Sequence, residues 1–230
     1  MRLSNVLLGC AMAAALSLPA QAASLVNAGF ETSDLSGWDF TSGYVEVVTD
    51  ADDALVTPPL GEHFTATEGT YFARLIAGET SGTYTTLSQA FTLSELSRVS
   101  FDTAFLAFDY LGYDDDGNVL YNDDGYVRIF SQTSNQVVFA SSVSAVGDQG
   151  HTSWATFTSG NLDIGDYVLE AGVRNIDDPD PTYSSQLLLD NVSIAAAPIT
   201  AVPEPATWAL MIGGFGGAGV MLRRRAAFAA

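Results

Sequence analysis

Short runs of residues that favour β-strands recur along the middle of the chain, and they constrain the fold more than any other feature. The runs are rich in Val, Phe, Tyr, Leu and Thr, and Gly, Asp, Asn and Ser separate them. Helical periodicity is nearly absent, whereas apolar and polar residues alternate from Tyr167 to Val173. This pattern predicts an all-β antiparallel sandwich of about nine strands. The predicted strands are Tyr44–Val48, Thr70–Ala77, Thr83–Thr92, Arg98–Asp109, Gly125–Ser131, Gln136–Ser142, Thr152–Thr158, Gly165–Asn175 and Gln186–Ile194.

The last thirty residues have the layout of a membrane-targeting signal. Pro203, Glu204 and Pro205 lead into an uncharged apolar run over 206–222, which Arg223, Arg224 and Arg225 close. As a helix the run is about 26 Å long, at the short end of what spans a bilayer. Trp208 suits a membrane interface, and the arginines suit the cytoplasmic side. We therefore expect a C-terminal transmembrane helix over 206–222, serving as either a permanent or a transient anchor.

The order of these elements resembles a PEP-CTERM sorting signal in its PEPxxWA form. Pro203, Glu204, Pro205, Trp208 and Ala209 match the motif, and the apolar run and the arginines follow in order, so that the signal occupies 203–228. The resemblance implies recognition by an exosortase, a membrane protease of Gram-negative bacteria. The tail is then cut near the motif, and the protein is released to the cell surface or the extracellular matrix. Such proteins are associated with exopolysaccharide and biofilm.

The N-terminus agrees with export. Residues 1–22 contain Arg2, an apolar core and Ala20-Gln21-Ala22, which predict a secretory signal helix cut after Ala22. Cys10 is the only cysteine, and it lies within this signal. The mature chain therefore has no thiol for a disulfide, a catalytic nucleophile or a metal site.

The body of the chain, the part between the two terminal signals, is strongly acidic. It holds 26 of the 27 acidic residues but only four of the eight arginines, and the chain contains no lysine, so its formal charge is about −22. Such a charge excludes nucleic acid as a partner, because phosphate binding requires cationic side chains. It also disfavours anionic membrane surfaces. It favours divalent cations, and it keeps an exported protein soluble.

Two boundary segments give the body, residues 23–195, a family resemblance. The segments are Asn27-Ala28-Gly29-Phe30-Glu31 with Gly37-Trp38, and Leu187 to Ile194. They resemble the first and last strands of the galactose-binding-like jelly roll of carbohydrate-binding modules. Residues 196–202, which are small and include a proline, are predicted to form a linker. The resemblance implies one structural Ca²⁺ held by Glu31 and Asp190. The alternative is that both acids are exposed or cap local structure.

An acidic, tyrosine-rich loop is the second candidate site. Asp114, Asp116 and Asn118 have the spacing of calcium ligands, but Val119 replaces the required Gly and Gly125 the required Glu of an EF-hand. A turn-forming loop is the simpler interpretation, and weak Ca²⁺ binding is the alternative. The clusters Asp50–Asp53 and Asp177–Asp180 are interpreted in the same way. Four tyrosines around the loop predict either a sugar-binding face or ordinary packing. They are Tyr110, Tyr113, Tyr121 and Tyr126.

The sequence gives little support to catalysis. His63 and His151 are isolated, and neither an H-E-x-x-H pattern nor a G-x-S-x-G elbow is present. We therefore predict a non-enzymatic surface or matrix protein that is associated with exopolysaccharide and able to bind it. Two alternatives remain open: a self-assembling structural surface protein without a sugar site, and a polysaccharide hydrolase.

Overall fold

The computed structural model describes residues 24–41, 43–52, 62–176, 183–198, 208 and 210–215. The chain divides into two units, Met1–Ala196 and Ala197–Ala230. Within the described part, the first unit forms fourteen strands and one helical turn, α1. The strands are β1 (Asp39–Phe40), β2 (Val45–Val48), β3 (Asp50–Asp52), β4 (His63–Thr65), β5 (Phe72–Ile76), β6 (Tyr84–Leu93), β7 (Ser97–Leu106), β8 (Gly112–Tyr113), β9 (Val119–Leu120), β10 (Asp124–Phe130), β11 (Asn135–Ser142), β12 (Ala155–Thr158), β13 (Gly165–Arg174) and β14 (Gln186–Ala196), and α1 is Val143–Val146.

Two five-stranded antiparallel sheets form the sandwich. Sheet A has the order β1-β6-β13-β10-β11, and sheet B has the order β12-β7-β14-β5-β2. Strands β5, β6 and β7 alternate between the sheets, and β12, β13 and β14 do the same. This alternation is the connectivity of a double-sheet jelly roll. The predicted all-β antiparallel jelly roll is confirmed, and each of the nine predicted strands has its counterpart.

The main core lies between the two sheets. Strand alternation sends Leu87, Val127 and Leu169 inward from sheet A, and Phe101 and Phe105 inward from sheet B; all are fully buried. The opening segment 24–38 closes one side of this core, with Phe30 and Trp38 in ring contact. Its Ala28 carbonyl accepts the Val192 N–H, so the first segment lies beside the last strand, as a series of turns rather than as a strand.

A second, smaller core covers the outer face of sheet B. It contains Phe64 from β4, Phe72 from β5 and Leu188 from β14, and the half-buried Trp154 packs against it. The β3–β4 hairpin supplies part of this cover, since Ala51 and Phe64 are partners in its ladder. Part of the outer face of sheet B is therefore covered, whereas the outer face of sheet A has outward side chains such as Tyr84 and Arg128 that line an open cleft.

The described part of the C-terminal unit is short. Trp208 and residues 210–215 are helical and exposed. Among the described residues, no helix has both the length and the hydrophobicity needed to cross a membrane. The other residues of the predicted 206–222 helix, most of the 196–202 linker, Pro203, Glu204, Pro205, the three arginines and the predicted signal 1–22 lie outside the described residues.

Candidate functional site

Outward side chains from three neighbouring strands form rows across the outer face of sheet A. In one row the ladder places Tyr84 of β6 opposite Arg174 of β13, which lies opposite Asp124 of β10. Four residues further along the strands, Glu170 lies opposite Arg128, and Tyr126 lies between the two rows, opposite Gly172. We call the six side chains the sheet-A platform. Its members are Tyr84, Asp124, Tyr126, Arg128, Glu170 and Arg174.

The first row is a closed network. The Tyr84 hydroxyl donates to Asp124 Oδ1 at 2.5 Å, and Arg174 Nε donates to Asp124 Oδ2 at 2.8 Å. The Arg174 guanidinium also lies 4.7 Å from the centre of the Tyr84 ring, a cation–π contact. Burial, reinforced by the bond to Asp124, raises the pKa of Tyr84 to about 12, so this hydroxyl stays protonated.

The second row repeats this arrangement with different partners. Glu170 Oε1 accepts the Tyr126 hydroxyl at 2.6 Å and Arg128 Nε at 2.9 Å. Burial, and then the bond to Glu170, raises the pKa of Tyr126. The Tyr126 ring lies directly on the backbone of Gly172, where a Cβ would come within 2.8 Å of its ring carbons. The Tyr84 and Tyr126 rings meet edge to face at 4.9 Å, which joins the two rows.

Four members of the platform, Tyr84, Asp124, Tyr126 and Arg128, line an open cleft of about 740 Å³, which Val137 and Ala140 of the edge strand β11 also line. Both tyrosine hydroxyls donate to carboxylates, so their oxygens remain as acceptors. The arginines have further N–H groups, since a guanidinium carries five donors. Val137, 59% exposed, adds apolar surface. The cleft therefore offers fixed donors, acceptors and apolar contacts side by side.

Of the four predicted tyrosines, the structure places Tyr126 in this cleft. Tyr110 is instead in ring contact with Tyr183 at 6.0 Å. Tyr113 pairs with Val119 in the β8–β9 hairpin and is 63% exposed. Tyr121 lies against Gly112, with a positive φ of 55°. These three tyrosines thus belong to the loop, and their contacts differ from those of Tyr126.

Glu31 and Asp190, the predicted calcium ligands, both hold the segment 67–71. Glu31 Oε1 accepts the N–H groups of Thr70 and Tyr71, each at 2.9 Å. Asp190 Oδ2 accepts the Thr67 N–H at 2.7 Å and the Glu68 N–H at 3.1 Å. Asp190 is fully buried, and this burial raises the pKa of its carboxyl group. The two acids therefore both bind the backbone of one loop.

The donors around these acids bear on whether Ca²⁺ fits between them. Asp190 Oδ2 accepts three hydrogen bonds and Glu31 Oε1 accepts two, so other carboxylate oxygens would have to bind the ion. In the described part of the chain, no group of three or more His, Cys, Asp or Glu side chains is arranged to hold a metal. Ca²⁺ takes six to eight oxygens, so backbone carbonyls would have to supply most of the shell. A Ca²⁺ bound by Glu31 and Asp190 stays a prediction.

The acidic loop closes on itself. The Asp114 carboxylate accepts the N–H groups of Asp116 and Asn118 and the amide group of the Asn118 side chain. The Asn118 bonds and the others lower the pKa of Asp114. These bonds are those of a turn-forming acid, the simpler of the two interpretations. Asp50 and Asp52 lie on β3, where Asp52 contacts His63 Nδ1 at 2.6 Å; Asp53 and Asp177–Asp180 lie outside the described residues.

Sequence reasoning missed most of the platform. Arg128, Glu170 and Arg174 lie inside predicted strands, where a charged residue is expected simply to face solvent. The alternation of residues along each strand could have indicated them. Tyr126 and Arg128 on one strand, and Glu170 and Arg174 on another, alternate with apolar residues, so each pair is expected on the outward face of its strand. What the sequence lacked was the order of the strands, which makes β10 the neighbour of β13.

Several solved structures are similar in fold. TmCBM61 in complex with β-1,4-galactotriose is 16% identical, with 74% of this chain and 96% of that one covered and a TM-score of 0.46. The CBM22-1 xylan-binding domain from Paenibacillus barcinonensis Xyn10C is 16% identical, with 78% and 99% covered and a TM-score of 0.39. The K2 cleaved adhesin domain of Lys-gingipain is 14% identical, with 74% and 96% covered and a TM-score of 0.43. At these values, the sugars named for those proteins do not show what this chain binds.

No curated protein sequence matches the chain. A family match does cover the tail: the PEP-CTERM protein-sorting motif matches residues 201–225. This match confirms the recognition made from Pro203-Glu204-Pro205, Trp208 and Arg223–Arg225. It concerns sorting and not the β-sandwich. The chain thus carries a PEP-CTERM protein-sorting motif at 201–225, a signal for export and sorting to the cell surface.

Proposed function

We propose that this protein is exported, that an exosortase processes its tail, and that its β-sandwich binds extracellular polysaccharide without cleaving it. The sorting motif at 201–225 supports the destination. The single observation that supports binding is the sheet-A platform, a preorganised set of donors, acceptors and rings of which four members line an open cleft. The exopolysaccharide of the biofilm matrix is the partner we expect.

The chemistry of the platform suits a sugar. A pyranose ring presents hydroxyl groups at its edge and C–H groups on its faces. The tyrosine oxygens can accept from hydroxyls, the spare N–H groups of Arg128 can donate, and Val137 can contact a carbon face. Because internal bonds already fix the six side chains, ordering them on binding costs little entropy.

The same bonds argue for binding rather than hydrolysis. A glycosidase needs one carboxyl group to protonate the leaving oxygen and a second to act as base or nucleophile. At the platform each carboxylate is engaged by one arginine and one tyrosine: Asp124 by Arg174 and Tyr84, and Glu170 by Arg128 and Tyr126. We therefore expect retention of polysaccharide without release of reducing ends.

Affinity electrophoresis of the mature secreted protein in gels that contain the host's own exopolysaccharide tests binding. We expect the wild-type protein to be retarded and Tyr126→Ala and Tyr84→Ala to lose most of the retardation. Tyr113→Ala is the matched comparison, since this exposed tyrosine lies on the β8–β9 hairpin. Loss of binding in Tyr113→Ala alone would move the site to the loop. An unretarded wild-type protein would instead favour a self-assembling structural role.

Mass spectrometry of the mature C-terminus tests processing. We expect the chain to end near Pro203–Pro205, because the sorting motif is the expected point of exosortase cleavage. A mature protein that still ends at Ala230 would contradict processing and favour a permanent anchor.

We also propose that Ca²⁺ binds between Glu31 and Asp190 and stabilises the fold. The support is that both carboxylates hold the segment 67–71, and that the body carries a formal charge of about −22, which a cation would reduce. An ion at this place would join the opening segment to the last strand.

A further inference from the structure

A second cleft, of about 560 Å³, opens on the same face of sheet A. Its floor is the next row of the ladder, in which Ala90 of β6, Val168 of β13 and Phe130 of β10 lie opposite one another. Phe130 follows Arg128 by two residues, so both side chains point outward from the same strand, about 7 Å apart along it. The second cleft is therefore the next stretch of the surface that carries the platform.

The contacts of Arg128 connect the two clefts. Its guanidinium lies 5.2 Å from the centre of the Tyr126 ring and 4.7 Å from the centre of the Phe130 ring. Glu170 holds the same guanidinium through Nε at 2.9 Å and Nη2 at 2.7 Å. Ring, cation and ring thus form one continuous stack along β10, so the surface between the clefts is fixed and shared.

The second cleft has the two-sided chemistry of a sugar-binding subsite. Phe130, Val168 and Ala90 give it an apolar floor, and Ser131, Gln132 and Asp166 give it a polar rim. A flat apolar floor with polar groups at its edge matches a sugar ring that lies on one carbon face and directs its hydroxyls sideways. A purely apolar ligand would leave this rim unused.

We propose that the glycan chain lies along the strands of sheet A, from the platform to the row of Phe130, and occupies at least two subsites. This inference rests on the proposed function and names the second subsite and the direction of the chain. From Asp124 to Phe130 the path measures about 20 Å at roughly 3.3 Å per residue, enough for an oligosaccharide rather than a single ring.

The competing direction is across the strands, from Tyr126 toward the edge strand β11. Two exposed alanines distinguish the paths. Ala90 lies on the floor of the second cleft, while Ala140 is the ladder partner of Tyr126 on β11. A tyrosine at either position adds the same bulk, but Ala90→Tyr obstructs the path along the strands and Ala140→Tyr obstructs the path across them.

Calorimetric titration of the mature protein with β-1,4-linked gluco-, xylo- and galacto-oligosaccharides, from disaccharide to hexasaccharide, tests the proposal. For wild type we expect the hexasaccharide to bind at least about tenfold more tightly than the disaccharide, as one additional occupied subsite would give. Ala90→Tyr should remove this gain, so that the hexasaccharide binds no more tightly than the disaccharide. Ala140→Tyr should keep the gain.

The outcomes separate the two proposals. Loss of the length dependence in Ala140→Tyr but not in Ala90→Tyr would overturn the direction along the strands while leaving polysaccharide binding intact. Equal affinity for short and long oligosaccharides in the wild type would overturn the second subsite alone. A wild-type protein that binds none of the three series, and is not retarded by the host exopolysaccharide, would overturn the proposed function itself.

Discussion

Asp102 and Asp190 are partners in the ladder between β7 and β14, and both carboxylates lie within hydrogen-bonding distance of the same hydroxyl group, that of Thr67. The Thr67 oxygen lies 2.7 Å from Asp102 Oδ2 and 2.9 Å from Asp190 Oδ2. Both acids are buried, and one hydroxyl hydrogen cannot satisfy two carboxylates at once. Like charges directly opposite each other in a sheet are destabilising. Protonation of one acid, or a cation between them and the loop, would relieve this repulsion.

Loss of the Asp190 carboxyl group should be costly despite that repulsion. In Asp190→Ala the N–H groups of Thr67 and Glu68 lose their acceptor, and we expect the free energy of unfolding to fall by about 2–4 kcal/mol. Urea unfolding measures this change. Asp166→Ala is the control, because this exposed acid accepts the Thr92 hydroxyl group at the surface, and it should change stability by less than about 0.5 kcal/mol. Similar losses in both variants would show that Asp190 does not hold the loop.

The pH dependence of stability should reveal the burial of Asp190. Burial raises the pKa of Asp190 above its unfolded value of 3.8, so its contribution to stability is present below that pH and is lost as pH rises through the folded pKa. Burial acts in the same direction on Asp102, but hydrogen bonds from Thr156, Thr67 and Asn191 outweigh it and lower its pKa. The contribution of Asp102 is therefore present above 3.8 and is lost as pH falls.

The comparison of wild type with Asp190→Asn isolates the first effect. The amide stays uncharged at every pH, so the stability of the variant relative to wild type should increase as pH rises above about 4. Urea midpoints measured with EGTA between about pH 4 and 7 give this difference. Parallel curves would contradict a raised pKa for Asp190.

Gly69 should be intolerant of a side chain for two separate reasons. Its φ is +68°, and a Cβ would come within 2.4 Å of Glu31 Oε1, which holds the N–H groups of Thr70 and Tyr71. Gly43, with φ +90° and open space around it, carries the conformational cost alone. We expect Gly43→Ala to cost about 1–2 kcal/mol and Gly69→Ala at least about 1 kcal/mol more. Equal losses in thermal or urea unfolding would show that Glu31 moves away freely.

The proposed Ca²⁺ has a variant that separates charge from hydrogen bonding. Glu31→Gln keeps an oxygen acceptor for the Thr70 and Tyr71 N–H groups but removes the negative charge. In wild type, Ca²⁺ at one hundred times its Kd should add about 2.7 kcal/mol to the free energy of unfolding. We therefore expect a higher melting temperature in Ca²⁺ than in EGTA. Glu31→Gln should match wild type in EGTA and lose most of the Ca²⁺ shift. An unchanged wild-type midpoint would overturn the calcium proposal.

Local pattern was sufficient for the long strands of this fold. Alternation and β-branched or aromatic residues located all nine predicted strands, because most of them bury one face in the main core; β12 contributes only the half-buried Phe157. The short pairs β3–β4 and β8–β9 were not predicted, since runs such as Asp50–Asp52 and Gly112–Tyr113 have no strand signature of their own. Tertiary contacts decide such elements: Ala51 and Phe64 form the β3–β4 hairpin by packing on Phe72 and Leu188. The helical turn α1 was likewise not visible.

The candidate site shows the same limit. Tyr126 stood out because four tyrosines cluster near the loop, but its actual neighbours are distant in sequence. Tyr84 and Glu170 lie forty or more residues away, and the order of strands in sheet A brings them together. Glu31 and Asp190 were recognised because their segments resemble a known pair. No sequence pattern indicated that these two acids accept hydrogen bonds from residues 67–71.

Charge should decide which polysaccharides bind. At the platform, Asp124 and Glu170 offset the charges of Arg174 and Arg128, and Asp166 leaves one negative charge at the second cleft. The body as a whole carries about −22, so an anionic chain meets net repulsion. We expect uncharged glucans, xylans or galactans to retard the protein, and alginate or polygalacturonate of similar length to do so at least about tenfold less, at low salt.

Arg128→Gln, which frees Glu170, should weaken binding of the uncharged chains by removing the stack between the clefts. Tight binding of alginate that salt abolishes would contradict this charge argument and would mean that the platform arginines exchange their internal carboxylates for those of the ligand.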